Sequence, residues 1–304
     1  MYSMDKFQAG SIRKKNHFYF AIIMVVILAA CSSRHIASNA RPFLFFQMAD
    51  SQFGMFANDS GFKKETVNFE KAIAAANRLH PAFVVVCGDL VNQLENEAQI
   101  AEYKRIAAQL DPAIPLYNVA GNHDVGRTQP TKKGLANYRK YFGSDYYSFK
   151  SGNLFGIVLN SSLFFDPSLV PDEAAKQDAW LRSTLEKAKK IKNVNIAVFQ
   201  HISWFTNTPD EKDGYFNIPL ERRKVYLDLF HRYGVKYIFA GHYHKNAFGR
   251  DGELEMVTTG PIGKPLGKDP SGFRIVIVDG SKMSHQYYGL DSIPPDIRLP
   301  HAGG

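Results

Sequence analysis

From Pro42 onward, short apolar runs that each break off at a polar turn are interleaved with longer segments in which apolar residues recur at helical spacing. The short runs predict strands over Phe43 to Met48, Phe83 to Cys87, Leu116 to Val119, Phe155 to Asn160, Asn195 to Phe199, Tyr237 to Ala240, Glu255 to Thr259 and Arg274 to Val278. The longer ones predict helices over Lys63 to Leu79, Glu95 to Leu110, Glu173 to Lys190 and Leu220 to Tyr233. In "PDEAAKQDAWLRSTLEKAKK" Pro171 and acidic residues lead, lysines trail, and Ala174, Trp180, Leu181 and Leu185 can share a face. Strands and helices in this order predict a layered α/β domain, a sandwich of two mixed β-sheets flanked by helices.

Ahead of Pro42 the pattern changes. Arg13, Lys14 and Lys15 precede an apolar run from Phe18 to Ala30, which ends in "LAAC" at Leu28 to Cys31. The run is short of the about 20 residues a spanning helix needs, so it reads as a targeting segment. A cysteine directly behind small residues resembles the bacterial lipoprotein signal, in which that cysteine becomes the lipidated first residue; an ordinary signal peptide or an uncleaved anchor are the alternatives. The expected organisation is a signal over 1–30, a lipidated Cys31 and polar tether over 31–41, a catalytic domain over 42–290 and an extended tail over 291–304. Ser32 behind the cysteine resembles outer-membrane sorting in a Gram-negative host. The expected location is the bacterial cell envelope, outside the cytoplasm.

With 304 residues and 45% hydrophobic content, the chain can bury one sizeable core, which excludes a disordered or fibrous protein. The signal holds four Lys/Arg and one Asp, so its removal takes the net charge from +8 to +5. That mild surplus suits phosphate substrates or a membrane surface. The densest basic run, "KAKKIK" at Lys187 to Lys192, ends a predicted helix, where cations favour the dipole, so no nucleic-acid partner is expected. Cys87 sits within "AFVVVCGDL" as the only other cysteine. It predicts a small core residue and no intramolecular disulfide.

The polar residues that matter stand where strands end. They are Asp50 in "QMADSQFG", Asp89 in "CGDLVN", Asn122, His123 and Asp124 in "VAGNHDVG", His201 in "VFQHIS", and His242 and His244 in "FAGHYHKN". Taken singly, each has an ordinary reading as a turn, a cap or a surface histidine. Five strand exits carrying carboxylate, amide and imidazole together do not, because in α/β sheets such ends converge on one site.

These motifs resemble the calcineurin-like metallophosphoesterase superfamily, whose ordered pattern D-x-H, G-D, G-N-H-[DE], a single His and G-H-x-H is matched over Phe43 to Tyr288 except at Gln52. Glutamine there resembles a subgroup carrying D-x-Q-F-G, typified by a cytosolic serine/threonine protein phosphatase. The resemblance implies one cation held by Asp50, Gln52, Asp89 and His244 and another by Asp89, Asn122, His201 and His242. A glutamine oxygen is a neutral, hard ligand that suits Mn²⁺, Mg²⁺ or Fe²⁺ better than Zn²⁺. Two divalent ions are therefore expected, Mn²⁺ foremost with Fe, Mg or Zn as alternatives, and the first position should be the weaker.

The implied reaction is two-metal hydrolysis of a phosphomonoester, from a phosphoprotein or a small phosphorylated molecule, with His123 giving a proton to the leaving alkoxide and Asp124 orienting His123. A phosphodiesterase on the same site and a lipid-anchored binding protein with a decayed metal site are the alternatives. Arg127, Lys264 and Lys268 could touch substrate or lie in solvent. Phe53, Trp204, Tyr215 and Phe216 could line a groove or pack locally. The oligomeric state stays open.

Overall fold

The computed structural model describes residues 41–300, so the expected signal, Cys31 and most of the tether lie outside the described residues. In chain order the elements are β1 (Phe43–Met48), α1 (Lys63–Leu79), β2 (Val84–Cys87), α2 (Glu97–Ala107), β3 (Leu116–Val119), the short turn α3 (Asn122–Val125) and α4 (Lys132–Phe142). There follow β4 (Tyr147–Ser151), β5 (Leu154–Val158), the short α5 (Ser162–Phe165), α6 (Pro171–Lys189), β6 (Asn195–Phe199) and α7 (Leu220–Tyr233). The chain closes with β7 (Val235–Ala240), β8 (Ala247–Asp251), β9 (Leu254–Thr258), β10 (Gly272–Asp279) and β11 (Lys282–Gly289).

The strands form two mixed sheets, in the orders β11-β10-β1-β2-β3 and β4-β5-β6-β7-β9-β8. In the first, β1, β2 and β3 run parallel and β10 pairs antiparallel with both β1 and β11; in the second, β5, β6, β7 and β9 run parallel and β4 and β8 close the edges antiparallel. Between the sheets lies an aromatic layer in which Phe45 stacks on Phe83 at 4.6 Å and Phe199 on Phe239 at 5.5 Å. The outer face of the first sheet is covered by apolar residues of α1, α2 and α4, and that of the second by α6 and α7.

Every predicted strand and helix forms, some with the expected bounds and the rest with ends shifted by one to three residues. The elements without a prediction are chiefly the edge strands β4, β8 and β11 and the helix α4. β4 is half-buried and polar at alternate positions, and α4 buries only Gly134, Leu135 and Tyr138, so neither displays the apolar period that marks the interior elements. Residues 291–300 have no helix or strand, but Ile293 and Ile297 pack on the first core and Lys71 of α1 reaches Asp291 at 2.6 Å. Among the described residues no helix is long and apolar enough to cross a membrane.

Candidate metal centre

The parallel strands of both sheets deliver their carboxyl ends to one place. Asp50 follows β1, Asp89 follows β2, Asn122 opens α3 behind β3, His201 follows β6, and His242 with His244 follow β7. The two sheets are tied together there: Gln47 of β1 donates to the Ala240 carbonyl at 3.2 Å, and the His242 amide donates to both Asp50 oxygens at 3.0 and 3.2 Å.

The backbone at these exits is bent in an unusual way. Asp50, Gln52, Asp89, His242 and His244 all have positive φ, between 37° and 67°. A left-handed conformation costs a non-glycine residue roughly 1–2 kcal/mol. The core more than offsets this, since each fully buried phenylalanine between the sheets contributes roughly 1.5–3 kcal/mol. Strain clustered in this manner marks a functional site. Glycines make room beside it, because a Cβ on Gly88 would run into the His201 ring and one on Gly121 into the Asp89 main chain.

Two clusters result, Asp89 with His201 and His242, and Asp50 with Asp89 and His244; in each, the potential ligand atoms lie within 4.8 Å of one another, and Asp89 is common to both. The two amides complete the picture. Asn122 Oδ1 lies 3.0 Å from His201 Nε2. Gln52 Oε1 is buried with no hydrogen-bond partner among the described residues, a costly state for a carbonyl oxygen that a cation would relieve.

Each imidazole is aimed by a main-chain carbonyl. His201 Nδ1 donates to Cys87 O at 2.8 Å, His244 Nδ1 to Lys264 O at 2.6 Å and His242 Nε2 to Tyr215 O at 2.9 Å. A carbonyl only accepts, so in the neutral ring the opposite nitrogen carries the lone pair that a metal ligand requires. Here His201 Nε2 lies 3.3 Å from Asp89 and His244 Nε2 3.3 Å from Asp50. Burial works against the charge on Asp89, but the neighbouring imidazoles of His201, His123 and His242 hold its carboxyl well below the usual carboxylate range. Burial likewise opposes a proton on His201, and the Asp89 carboxylate overcomes it, raising the ring to about 9; burial and the His201 charge push His242 down to about 4. The donor set is thus two carboxylates, two amide oxygens and three imidazoles, which suits hard to borderline divalent cations.

His123 points in from α3, partly buried, with Nδ1 2.9 Å from the Asn92 carbonyl and its amide donating to Asp89 Oδ1 at 2.9 Å. The expected pairing with Asp124 is corrected by the geometry. Asp124 is fully buried and accepts from the amides of Leu90, Val91 and Gly121 at 2.9–3.2 Å, so its oxygens are spent in fastening the β2 and β3 exits together. Burial and the charge of Asp89 raise the Asp124 carboxyl. It is the Asn92 carbonyl that orients His123.

Phe53 and Trp204 are wholly buried core residues and line no groove. Tyr215 is 50% exposed, stacks obliquely on His242 at 4.7 Å and brings its hydroxyl within 3.4 Å of Asn122 Nδ2, so it forms the rim. Cys87 is buried and free, and burial pushes its thiol up to about 12, as a core residue requires. The sequence offered no sign of Asn92 or Asp59, which prove to be the residues contacting Gln52 and Asn92 respectively.

Residues 45–246 match the model of the calcineurin-like phosphoesterases. The chain belongs to that family. It is 39% identical over 267 residues to the serine/threonine-protein phosphatase CPPED1 of Danio rerio, covering 83% of this chain and 86% of the relative. The human CPPED1 is 39% identical over 268 residues, with 83% and 85% covered. Solved structures show the same fold: a dimetal phosphatase from Danio rerio superposes with a TM-score of 0.60 at 16% identity over 82% of this chain and 96% of that one. A purple acid phosphatase from yellow lupin gives 0.59 at 15% identity, over 83% and 52%. As a member of this family the protein is a phosphoesterase, a hydrolase of phosphoric esters.

Proposed function

We propose that the protein is a metal-dependent phosphomonoesterase tethered outside the cytoplasm by a lipid on Cys31, working with two divalent cations that share Asp89. The observation that carries the site assignment is the pair of ligand clusters joined at that one carboxylate. Asp50, Gln52, Asp89 and His244 would hold one ion, and Asp89, Asn122, His201 and His242 the other, Mn²⁺ foremost. When bound, the ions would supply charge to neutralise phosphoryl oxygens and would lower the pKa of a bound water.

The chain's own residues do the rest. His123, held by Nδ1 on the Asn92 carbonyl, presents Nε2 as the proton donor for the leaving alkoxide. Tyr215, in the loop between β6 and α7, reaches the Asn122 amide with its hydroxyl. The monoester preference follows the relatives, which are named serine/threonine-protein phosphatases; a phosphoprotein is the substrate class this favours, and a small phosphorylated metabolite is the other. A binding protein with a decayed site is disfavoured, because Gln52 lies with the remaining ligands in a buried, oriented position.

Metal-stripped protein re-supplied with Mn²⁺ should hydrolyse a chromogenic phosphomonoester faster than the matching diester. A diester rate equal or greater would make it a phosphodiesterase, and no metal-dependent rate on either, nor on a phosphopeptide, would sink the proposal. Gln52→His should shift the metal profile toward Zn²⁺, since imidazole binds zinc better than an amide oxygen does. An unchanged profile across Mn²⁺, Fe²⁺ and Zn²⁺ would mean that Gln52 is no ligand. Cys31→Ser should move the protein from the membrane to the soluble fraction on cell fractionation; continued membrane association would point to an uncleaved anchor.

A further inference from the structure

The two ends of a glutamine amide have nearly the same size, and only one of them can bind a cation. If Gln52 turned its NH₂ toward Asp50 and Asp89, its hydrogens would satisfy those carboxylates and repel a metal ion. Something must decide between the two orientations, and the polar contacts around Gln52 do so by a chain of donor and acceptor constraints.

The chain begins at Asp59, in the loop between β1 and α1. An ionised carboxylate can only accept. Asn92 Nδ2 lies 2.8 and 2.9 Å from its two oxygens, and the amide nitrogens of Gln93 and Gln99 each lie 2.8 Å away. Asn92 must therefore direct its NH₂ outward to Asp59 and its Oδ1 inward, where Oδ1 lies 3.2 Å from Gln52 Nε2. Gln52 must then donate on that side, and Oε1 is left as the buried, unpartnered end. Burial opposes the charge on Asp59, yet these amide donors hold its carboxyl below the usual range. Gly54, with φ of +109°, leaves the space, since a Cβ there would meet Gln99 and Asp59.

We infer that Asp59 and Asn92 are positioning residues that lock the Gln52 amide with its oxygen toward the first cation position, and so set the Mn²⁺ affinity of that position. The inference rests on the metal-centre reading above. It gives a reason for tolerance of glutamine where a histidine is usual in the motif: the amide is held by its nitrogen, as the histidine ligands are held by theirs. Asn92 also carries the carbonyl that aims His123, so one residue serves the first cation position with its side chain and the proton donor with its main chain.

The test is Mn²⁺ titration of metal-stripped full-length protein by calorimetry, with electron paramagnetic resonance to distinguish a coupled pair from an isolated ion. Gln52→Ala identifies which of the two affinities belongs to the first position. Asn92→Ala, which keeps the carbonyl to His123, and Asp59→Ala, at the more exposed end of the chain, should each weaken that affinity by about 10–100-fold and spare the other. The double variant Gln52→Ala/Asn92→Ala should lose no more than Gln52→Ala alone. If Gln52→Ala loses one affinity while Asn92→Ala and Asp59→Ala retain both, the metal centre stands and this inference is overturned. Equal weakening of both positions together with a lowered Tm would also overturn it, showing a general structural role. If the protein takes up fewer than two Mn²⁺, or Gln52→Ala changes nothing, the underlying metal reading fails instead.

Discussion

Asp89→Asn is expected to give a folded protein whose phosphomonoester turnover is several orders of magnitude below that of the unaltered chain. Asp89 is the one side chain that belongs to both ligand clusters, so its charge serves both cation positions at once. Asparagine has the same shape and tolerates the left-handed backbone at this position, φ 48°, better than most residues. Its Oδ1 can still accept the His123 amide, which Asp89 now accepts at 2.9 Å. What disappears is the negative charge among His201, His242 and His123, and with it the ligand that both proposed cation positions would share. If two ions act as a unit, as proposed, losing their common ligand should cost nearly as much as losing both. The measurement is kcat/KM at saturating Mn²⁺ alongside a thermal melt. A rate within tenfold of the unaltered protein, with an intact melt, would sink the two-metal assignment.

Much of this site could be read from residues alone, for a physical reason. Ligands at the carboxyl ends of buried parallel strands are announced by an apolar run that stops at a polar residue, and Asp50, Asp89, Asn122, His201, His242 and His244 all have that signature. The interior strands β1 and β6 were legible to the residue because both their faces are buried and their apolar content is continuous. The edge strands β4, β8 and β11 were not, since they meet solvent and carry mixed side chains. Nor were the supporting contacts. Adjacent in sequence, His123 and Asp124 suggest a pair, but consecutive residues on the α3 turn point different ways, and Asp124 turns inward to three amides. Asn92 and Asp59 are 33 residues apart and bear no shared motif, so only the folded loops reveal the chain that reaches Gln52.

His123→Ala should lower kcat by on the order of 10²–10⁴, the usual worth of a positioned proton donor, and should leave Mn²⁺ binding intact. Binding survives because the contact from this residue to Asp89 is made by its main-chain amide, which alanine keeps. The size of the loss should depend on the substrate in a way that a merely structural role would not reproduce. An alkyl phosphate expels a strongly basic alkoxide and needs the proton, whereas a nitrophenyl phosphate expels a stable phenolate and needs it much less. A series of monoesters of increasing leaving-group pKa should therefore fan out: the variant falls further behind as the leaving group becomes more basic. Equal losses across the series would remove His123 from the role of acid. The same series run on Asp124→Asn should show parallel lines with a lowered Tm, because that carboxylate makes no contact with the His123 ring and instead ties the β2 and β3 exits through backbone amides. Divergent lines for His123 and parallel lines for Asp124 would assign the proton to the one and the scaffold to the other.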